Sequence, residues 1–383
     1  MSLNPRLVKE SFAVVEPVAD RATAYFYGRL FAESPHLRGM FPPAMDMQRD
    51  RLFSALTRIV WSLDSPDSLT SFLGQLGRDH RKYGVIAEHY TAVGNALLAT
   101  IKRFAADIWD EEIEAAWVAA YTVAANLMIE SAESDSGVSP AWWLAEVVDH
   151  ERRTEDISVL TMRPTQRLPY TPGQYVNVQV ARWPRVWRTF SIANAPRLDN
   201  TITLHVRSVP CGWVSNTLTK DTRVGDTIML GPPMGTMTLC DRSHRDVLCV
   251  AGGTGLAPIK AIIEHMLYRE IKRPMTLYWG GRRPKDIYMM ELCRGWEANA
   301  PHLKFIPVVS DALPEDDWTG RTGFVHQAAV EDFPDLSGYQ VYSCGAPIVI
   351  NSAKRDLVAR CGLPEEEFYA DSFTTEADLA KVE

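Results

Sequence analysis

The feature that most constrains this chain is a change of texture near residue 137. Before it, apolar residues recur at i, i+3, i+4 and i+7, a spacing that buries one stripe of a helix. After it, β-branched alternating runs are separated by Gly and Pro, the mark of short strands. Ser134-Asp135-Ser136-Gly137-Val138-Ser139-Pro140 joins the two regimes with residues that favour turns. A chain of 383 residues is also too long for one core.

Two further regimes follow. Short strands are expected at 157–162, 175–180, 187–192, 201–207, 227–230 and 236–239, broken by turns such as Thr171-Pro172-Gly173 and Val224-Gly225-Asp226. Several short strands with regular breaks predict a small antiparallel barrel. From about 245 strands and helices alternate: strand 246–251, helix 257–269, strand 275–279, helix to about 298, strand 303–309, strand 339–344, helix to about 360. That rhythm predicts βαβ units and a parallel sheet. The expected fold class is therefore multidomain: an all-α domain over 1–136, an antiparallel β-barrel over 140–242 and an α/β parallel-sheet domain over 243–383.

The net charge of −8 argues against a nucleic-acid partner, which needs a basic surface. No run of about 18 apolar residues exists to span a bilayer, and the charged start MSLNPRLVKESF does not read as a signal peptide. The six cysteines form no C-x-x-C pair, and none precedes Cys211. That pattern fits reduced thiols in a cytoplasm rather than a disulfide framework or a zinc site.

In the helical third, Leu69, Phe72, Leu73, Leu76, His80 and Tyr83 fall on one helix face at 100° per residue. A histidine inside such a stripe is either a hydrogen-bonded core imidazole or an axial ligand to haem iron. Tyr27 lies on an apolar helix, Phe41 precedes the Pro42-Pro43 corner, and Gln48 and Leu52 are one turn apart. In order and spacing, Thr23-Ala24-Tyr25-Phe26-Tyr27, Phe41, Gln48 to Phe53, His80, and Glu88-His89-Tyr90 through Leu98 resemble a bacterial globin of the flavohaemoglobin type. The resemblance implies haem b, with His80 as proximal iron ligand, Phe41 wedging the haem and Leu52 in its pocket. It implies that Tyr27 and Gln48 donate hydrogen bonds to a diatomic at the iron, and that Tyr90 flanks the proximal histidine. The family pairs that tyrosine with a glutamate; here Ala132 stands in register, with Glu130 and Glu133 on either side. Asp79 stands where the family has lysine.

The later two-thirds resembles the ferredoxin–NADP reductase superfamily. Gly173-Gln174-Tyr175, Arg188-Thr189-Phe190-Ser191 and Gly212-Trp213-Val214-Ser215 follow one another as that superfamily's FAD words do. By resemblance Phe190 packs on the isoalloxazine, Tyr175 is a further flavin contact, Arg188 and the Gly212, Val214 and Ser215 turn hold the pyrophosphate, Ser191 bonds the ring, and Phe373 covers it. Ala251-Gly252-Gly253-Thr254-Gly255-Leu256-Ala257-Pro258 follows an apolar strand and opens a helix, the context of a dinucleotide phosphate loop. Cys344-Gly345-Ala346-Pro347 resembles the word beside the nicotinamide. Arg282-Arg283 leaves NADH or NADPH open, with NADH favoured.

A flavin accepts two electrons and releases them singly, so a globin joined to such a reductase has a chemical logic. The resemblance implies a monomeric, cytoplasmic nitric oxide dioxygenase acting on O₂ and NO. Two alternatives are an NAD(P)H:acceptor flavoreductase with a globin sensor, and an oxygen-binding globin kept ferrous by its reductase.

Overall fold

The computed structural model describes residues 4–373. The chain divides into two compact units, the first ending at Trp142 but also including Pro184–Val186, the second made of the rest from Trp143 on.

The first unit is helical: α1 (Pro5–Val15), α2 (Ala19–Glu33), α3 (Asp46–Trp61), α4 (Pro66–His80), α5 (Ala87–Phe104) and α6 (Glu111–Ser136). The sequence marks its own helix starts. Asn4 caps α1 and Asp110 caps α6 through side-chain bonds to Leu7 and Ile113, and Pro66 opens α4. Past His80 one 3₁₀ turn ends at Gly84, whose φ of +75° closes it at little steric cost. Phe12, Phe26, Tyr27, Leu30, Leu73, Leu97, Ile101 and Trp117 form the core.

The second unit holds two sheets. The antiparallel one contains β1 (Trp143–Arg152), β2 (Ile157–Pro164), β3 (Tyr175–Val180), β4 (Arg188–Ser191), β5 (Ile202–Arg207) and, after the short helix α7 (Trp213–Asn216), β6 (Thr227–Leu230). Its order is β4-β3-β6-β1-β2-β5, and an antiparallel bridge between Ile192 and Leu204 brings the end strands together, nearly closing a barrel. The parallel sheet contains β7 (Asp246–Gly252), β8 (Met275–Gly281), β9 (Leu303–Val309), β10 (Arg321–Thr322), β11 (Tyr339–Gly345) and β12 (Phe368–Ser372). Helices α8 (Leu256–Tyr268), α9 (Met290–Asn299), α10 (Val325–Asp332) and α11 (Pro347–Cys361) link them. Its order is β10-β9-β8-β7-β11-β12, so the direction of winding reverses between β7 and β11. Ligands of open α/β sheets bind at such a reversal, outside the carboxyl ends of the strands.

The antiparallel sheet departs from the sequence expectation twice. β1 was not anticipated; its ten residues are strongly charged at one end, and only the buried Trp143, Ala145 and Val147 show the alternation. Residues 236–239 form no strand: Gly235 (φ +101°) and a tight turn from Thr238 N–H to Thr236 O leave Met237 and Leu239 as buried plugs. In the parallel sheet, β10, α10 and β12 are additional to the elements expected.

Candidate functional site

In the helical unit, His80 ends α4 with its ring held by one bond: Nδ1 lies 2.7 Å from the Leu76 carbonyl oxygen. A carbonyl only accepts, so the proton sits on Nδ1 and the lone pair on Nε2. Among the described residues Nε2 has no hydrogen-bond partner. Burial pushes the imidazole pKa down, an effect the Leu76 bond and Asp79 only partly offset. A neutral imidazole with a free Nε2 is what an iron ligand requires, so this site fits haem. Asp79 and Lys82, on either side of His80 in sequence, form a buried ion pair.

The distal residues are also together. Gln48 Nε2 donates to Tyr27 Oη at 3.3 Å, and that hydroxyl lies 3.4 Å from the Gln48 carbonyl oxygen. Burial lifts the Tyr27 phenol to about 12, so it stays protonated and able to donate. Phe41 meets Tyr27 edge to face at 5.5 Å and Phe31 at 5.3 Å. The Arg38 guanidinium, bonded to the carbonyls of Phe41, Pro42 and Pro43, fixes the corner that presents Phe41. Leu52 lines a cavity of about 20 Å³ with Phe26, Phe53 and Leu97.

On the other side, Tyr90 is raised to about 12 by burial. Its carbonyl accepts from Tyr121 Oη at 2.5 Å, but among the described residues its own hydroxyl meets no carboxylate. Glu130 and Glu133 are both exposed. Neither occupies the place of the glutamate that the resemblance would pair with Tyr90.

In the second unit the chain folds distant words onto one another. β3 and β4 pair so that Tyr175 stands opposite Ser191, Val176 opposite Phe190, Asn177 opposite Thr189 and Val178 opposite Arg188. Gly212 is held so close that an added Cβ would stand 2.5 Å from both Ser215 Oγ and Val209 Cγ2; Val214 is buried behind it. These residues fit a flavin: a charged arginine and small hydroxyls beside aromatic surface.

At the carboxyl ends of β7 and β11, Gly252-Gly253-Thr254-Gly255 packs on Cys344-Gly345. A Cβ on Gly255 would lie 2.1 Å from the Cys344 carbonyl oxygen, while Gly253 has φ +54° and Gly345 φ +149°. Leu256 begins α8 immediately after, with Pro258 in its first turn. Bare backbone at a helix start suits a pyrophosphate.

The two halves of this unit meet at a residue the sequence reading missed. Ser191 Oγ donates to Asp371 Oδ2 at 3.3 Å, Cys344 Sγ donates to the Asp371 carbonyl at 3.1 Å, and Phe373 N–H donates to Gly345 O at 2.8 Å. Burial raises the Asp371 carboxyl above the usual range, against the Ser191 bond. A single acid on an edge strand carries no periodic signal; its one clue is the neighbouring Phe373. Arg207 was missed likewise, its Nη1 lying 3.2 Å from where Gly253 would carry a Cβ.

Because the folded carboxyl holds its proton longer, the unfolded chain ionises first as pH rises past about 4. The cost of ionising Asp371 therefore builds up from there to its folded pKa and persists above it. Asp371→Asn is expected to gain on wild type by a few degrees of Tm from pH 3 to pH 7, as followed by calorimetry. Cys344, Cys249 and Cys293 are pushed up by burial and remain thiols. Under native conditions iodoacetamide should label Cys211 and Cys240, which are exposed, and leave the four buried cysteines until the protein unfolds, as read by mass spectrometry.

Three family models match successive parts of the chain: Globin over residues 24–128, Oxidoreductase FAD-binding domain over 144–239, and Oxidoreductase NAD-binding domain over 249–355. The "Flavohemoprotein" of Bordetella pertussis is 28% identical over 393 residues, spanning 96% of this chain and 97% of that protein. The chain therefore joins a globin domain to FAD-binding and NAD-binding oxidoreductase domains, and over nearly its whole length it is similar to flavohaemoglobins. A solved flavohemoglobin from Malassezia yamatoensis has the same fold, with a TM-score of 0.78 at 17% identity over 96% of this chain and 99% of that one.

The reductase part has nearer relatives of another kind. "Protein RfbI" of Salmonella typhimurium is 35% identical over 226 residues, 58% of this chain, and the chain spans just under two thirds (66%) of that protein's length. "Terephthalate 1,2-dioxygenase, reductase component 2" of a Comamonas species is 34% identical over 60% of this chain and 68% of that protein. Among the described residues no helix is long and apolar enough to cross a membrane.

Proposed function

We propose that this chain is an NAD(P)H-dependent nitric oxide dioxygenase, with haem b held through His80 and with FAD and the nicotinamide dinucleotide held by the second unit. The observation that carries the reading is the Tyr27–Gln48 pair: two donors bonded to each other inside an aromatic pocket, in a chain that also carries a reductase. When bound, FAD and haem would supply the redox chemistry, and the two electrons of each NAD(P)H would account for two NO and two O₂ becoming two nitrate ions.

The chain's own residues set the conditions for this. Tyr27, kept neutral by burial, donates toward a diatomic that takes on negative charge, and Gln48 limits its rotation. Phe31 and Phe41 keep water from that hydrogen bond, which strengthens it. Ser191 and Asp371 hold a proton where the flavin and nicotinamide words converge. The buried Cys344 thiol forms a neutral wall there.

The test is a stopped-flow and NO-electrode experiment on holoprotein. Anaerobic NADH should bleach the flavin and then give ferrous haem; with O₂ present, NO should disappear at two per NADH. Flavin bleaching without haem reduction or NO turnover would replace this reading with a flavoreductase carrying a sensor. One observation favours that second reading: the acceptor for His80 Nδ1 is a backbone carbonyl rather than a carboxylate, so the proximal ligand is a weaker electron donor.

A further inference from the structure

We propose that the stacked pair Trp183–Trp213 is the platform for the adenine ring of FAD; the inference rests on the flavin reading above. The indole centroids are 4.9 Å apart with planes at 26°. Trp183 is the fixed member. Its Nε1 donates to Thr217 Oγ1 at 3.0 Å, its backbone N–H bonds Val180 O at 3.1 Å, and the Arg182 guanidinium, paired with Asp221 at 2.7 Å, lies 5.5 Å from its ring centroid. Trp213 leans on that ring and remains 46% exposed.

A large aromatic surface left this open marks a contact rather than a core, and its support by a second, anchored indole means that little freedom is lost when a third ring adds to the stack. Position selects the occupant. Trp213 follows Gly212 directly and precedes Ser215 by two residues, in the turn assigned to the pyrophosphate, and beyond that pyrophosphate FAD carries adenosine. The isoalloxazine is allotted to the paired strands of Tyr175 and Ser191, so adenine is the flat ring that remains. The nicotinamide dinucleotide also carries adenine, but its phosphate loop, Gly252 to Gly255, belongs to the other sheet. Stacking needs only a π face, so no base-specific hydrogen bond is required.

Flavin-stripped full-length protein is titrated with FAD and with FMN, which lacks the adenosine, and binding is followed by flavin fluorescence. Trp213→Ala is expected to weaken FAD by about 10- to 100-fold and to leave FMN within about twofold. Trp213→Phe, which keeps a π face, retains most of the FAD affinity. Unchanged FAD affinity in Trp213→Ala, or equal losses for FAD and FMN, overturns the platform. If the wild-type chain binds FAD and the alanine variant loses only that preference over FMN, the platform stands. If wild type binds neither flavin, the flavin reading itself fails and the platform goes with it.

Discussion

On the proposed reading, replacing His80 by alanine is expected to abolish NO consumption, by at least about 100-fold, and to leave NADH-driven reduction of an external acceptor such as ferricyanide within about twofold. Loss of an iron ligand exceeds the 10- to 100-fold typical of losing one of its supporting partners. Nothing nearby substitutes. His36 is exposed, and the Nδ1 of His89 is occupied as acceptor for the Ile86 N–H. The cavity left by the missing ring also suits free imidazole, whose addition should restore the haem spectrum and part of the activity. NO turnover that survives the substitution at more than a tenth of wild type would show that another residue carries the iron.

The second large effect falls on the opposite end of the electron path. Gly255→Ala would press a methyl group to 2.1 Å from the Cys344 carbonyl oxygen, a backbone atom that cannot swing aside. Either the loop or the end of β11 must shift. Overpacking strain of about 2–3 kcal/mol corresponds to a drop of about 30- to 150-fold in kcat/KM for NAD(P)H. FAD absorbance should persist, because the residues assigned to the flavin lie mainly on the antiparallel sheet. Gly252→Ala serves as the control. Its Cβ would meet only Val349 side-chain carbons at 3.5 Å, an ordinary contact, so its kinetics should stay within about threefold. Equal defects in the two variants would mean that the loop tolerates no side chain for a reason other than the Cys344 contact.

What was legible in the sequence followed its range. Words that act locally were read directly: the apolar stripe ending in His80, the strand carrying Arg188 to Ser191, and the glycine loop after β7. Fold class followed from periodicity, since a period near 3.6 and a period of two are distinguishable within ten residues. Asp371 was not legible, because its role comes from a strand that reaches Ser191 across 180 positions of sequence. β1 was hidden by Glu146, Asp149, Glu151 and Arg152, charges tolerable on a strand whose later residues face solvent. The converse error, a strand at 236–239, came from β-branched and apolar residues whose backbone has no partner to pair with. The fate of the proximal carboxylate also needed three dimensions: Glu130 and Glu133 flank the right position in sequence, yet both point to the surface.

The placement of Asp371 on β12 has a consequence for how the molecule is made. All six globin helices are specified by residue 136, whereas the reductase acquires its buried carboxyl only when β12 joins β11. Chains emerge from the ribosome at about 5–20 residues per second, and domains fold as they appear. The globin part is thus complete on the order of ten seconds or more before the oxidoreductase part. A nascent chain in that interval lacks β12, the last described strand, and with it the buried carboxyl beside Ser191, so on the proposed reading it has no completed site through which to divert reducing equivalents.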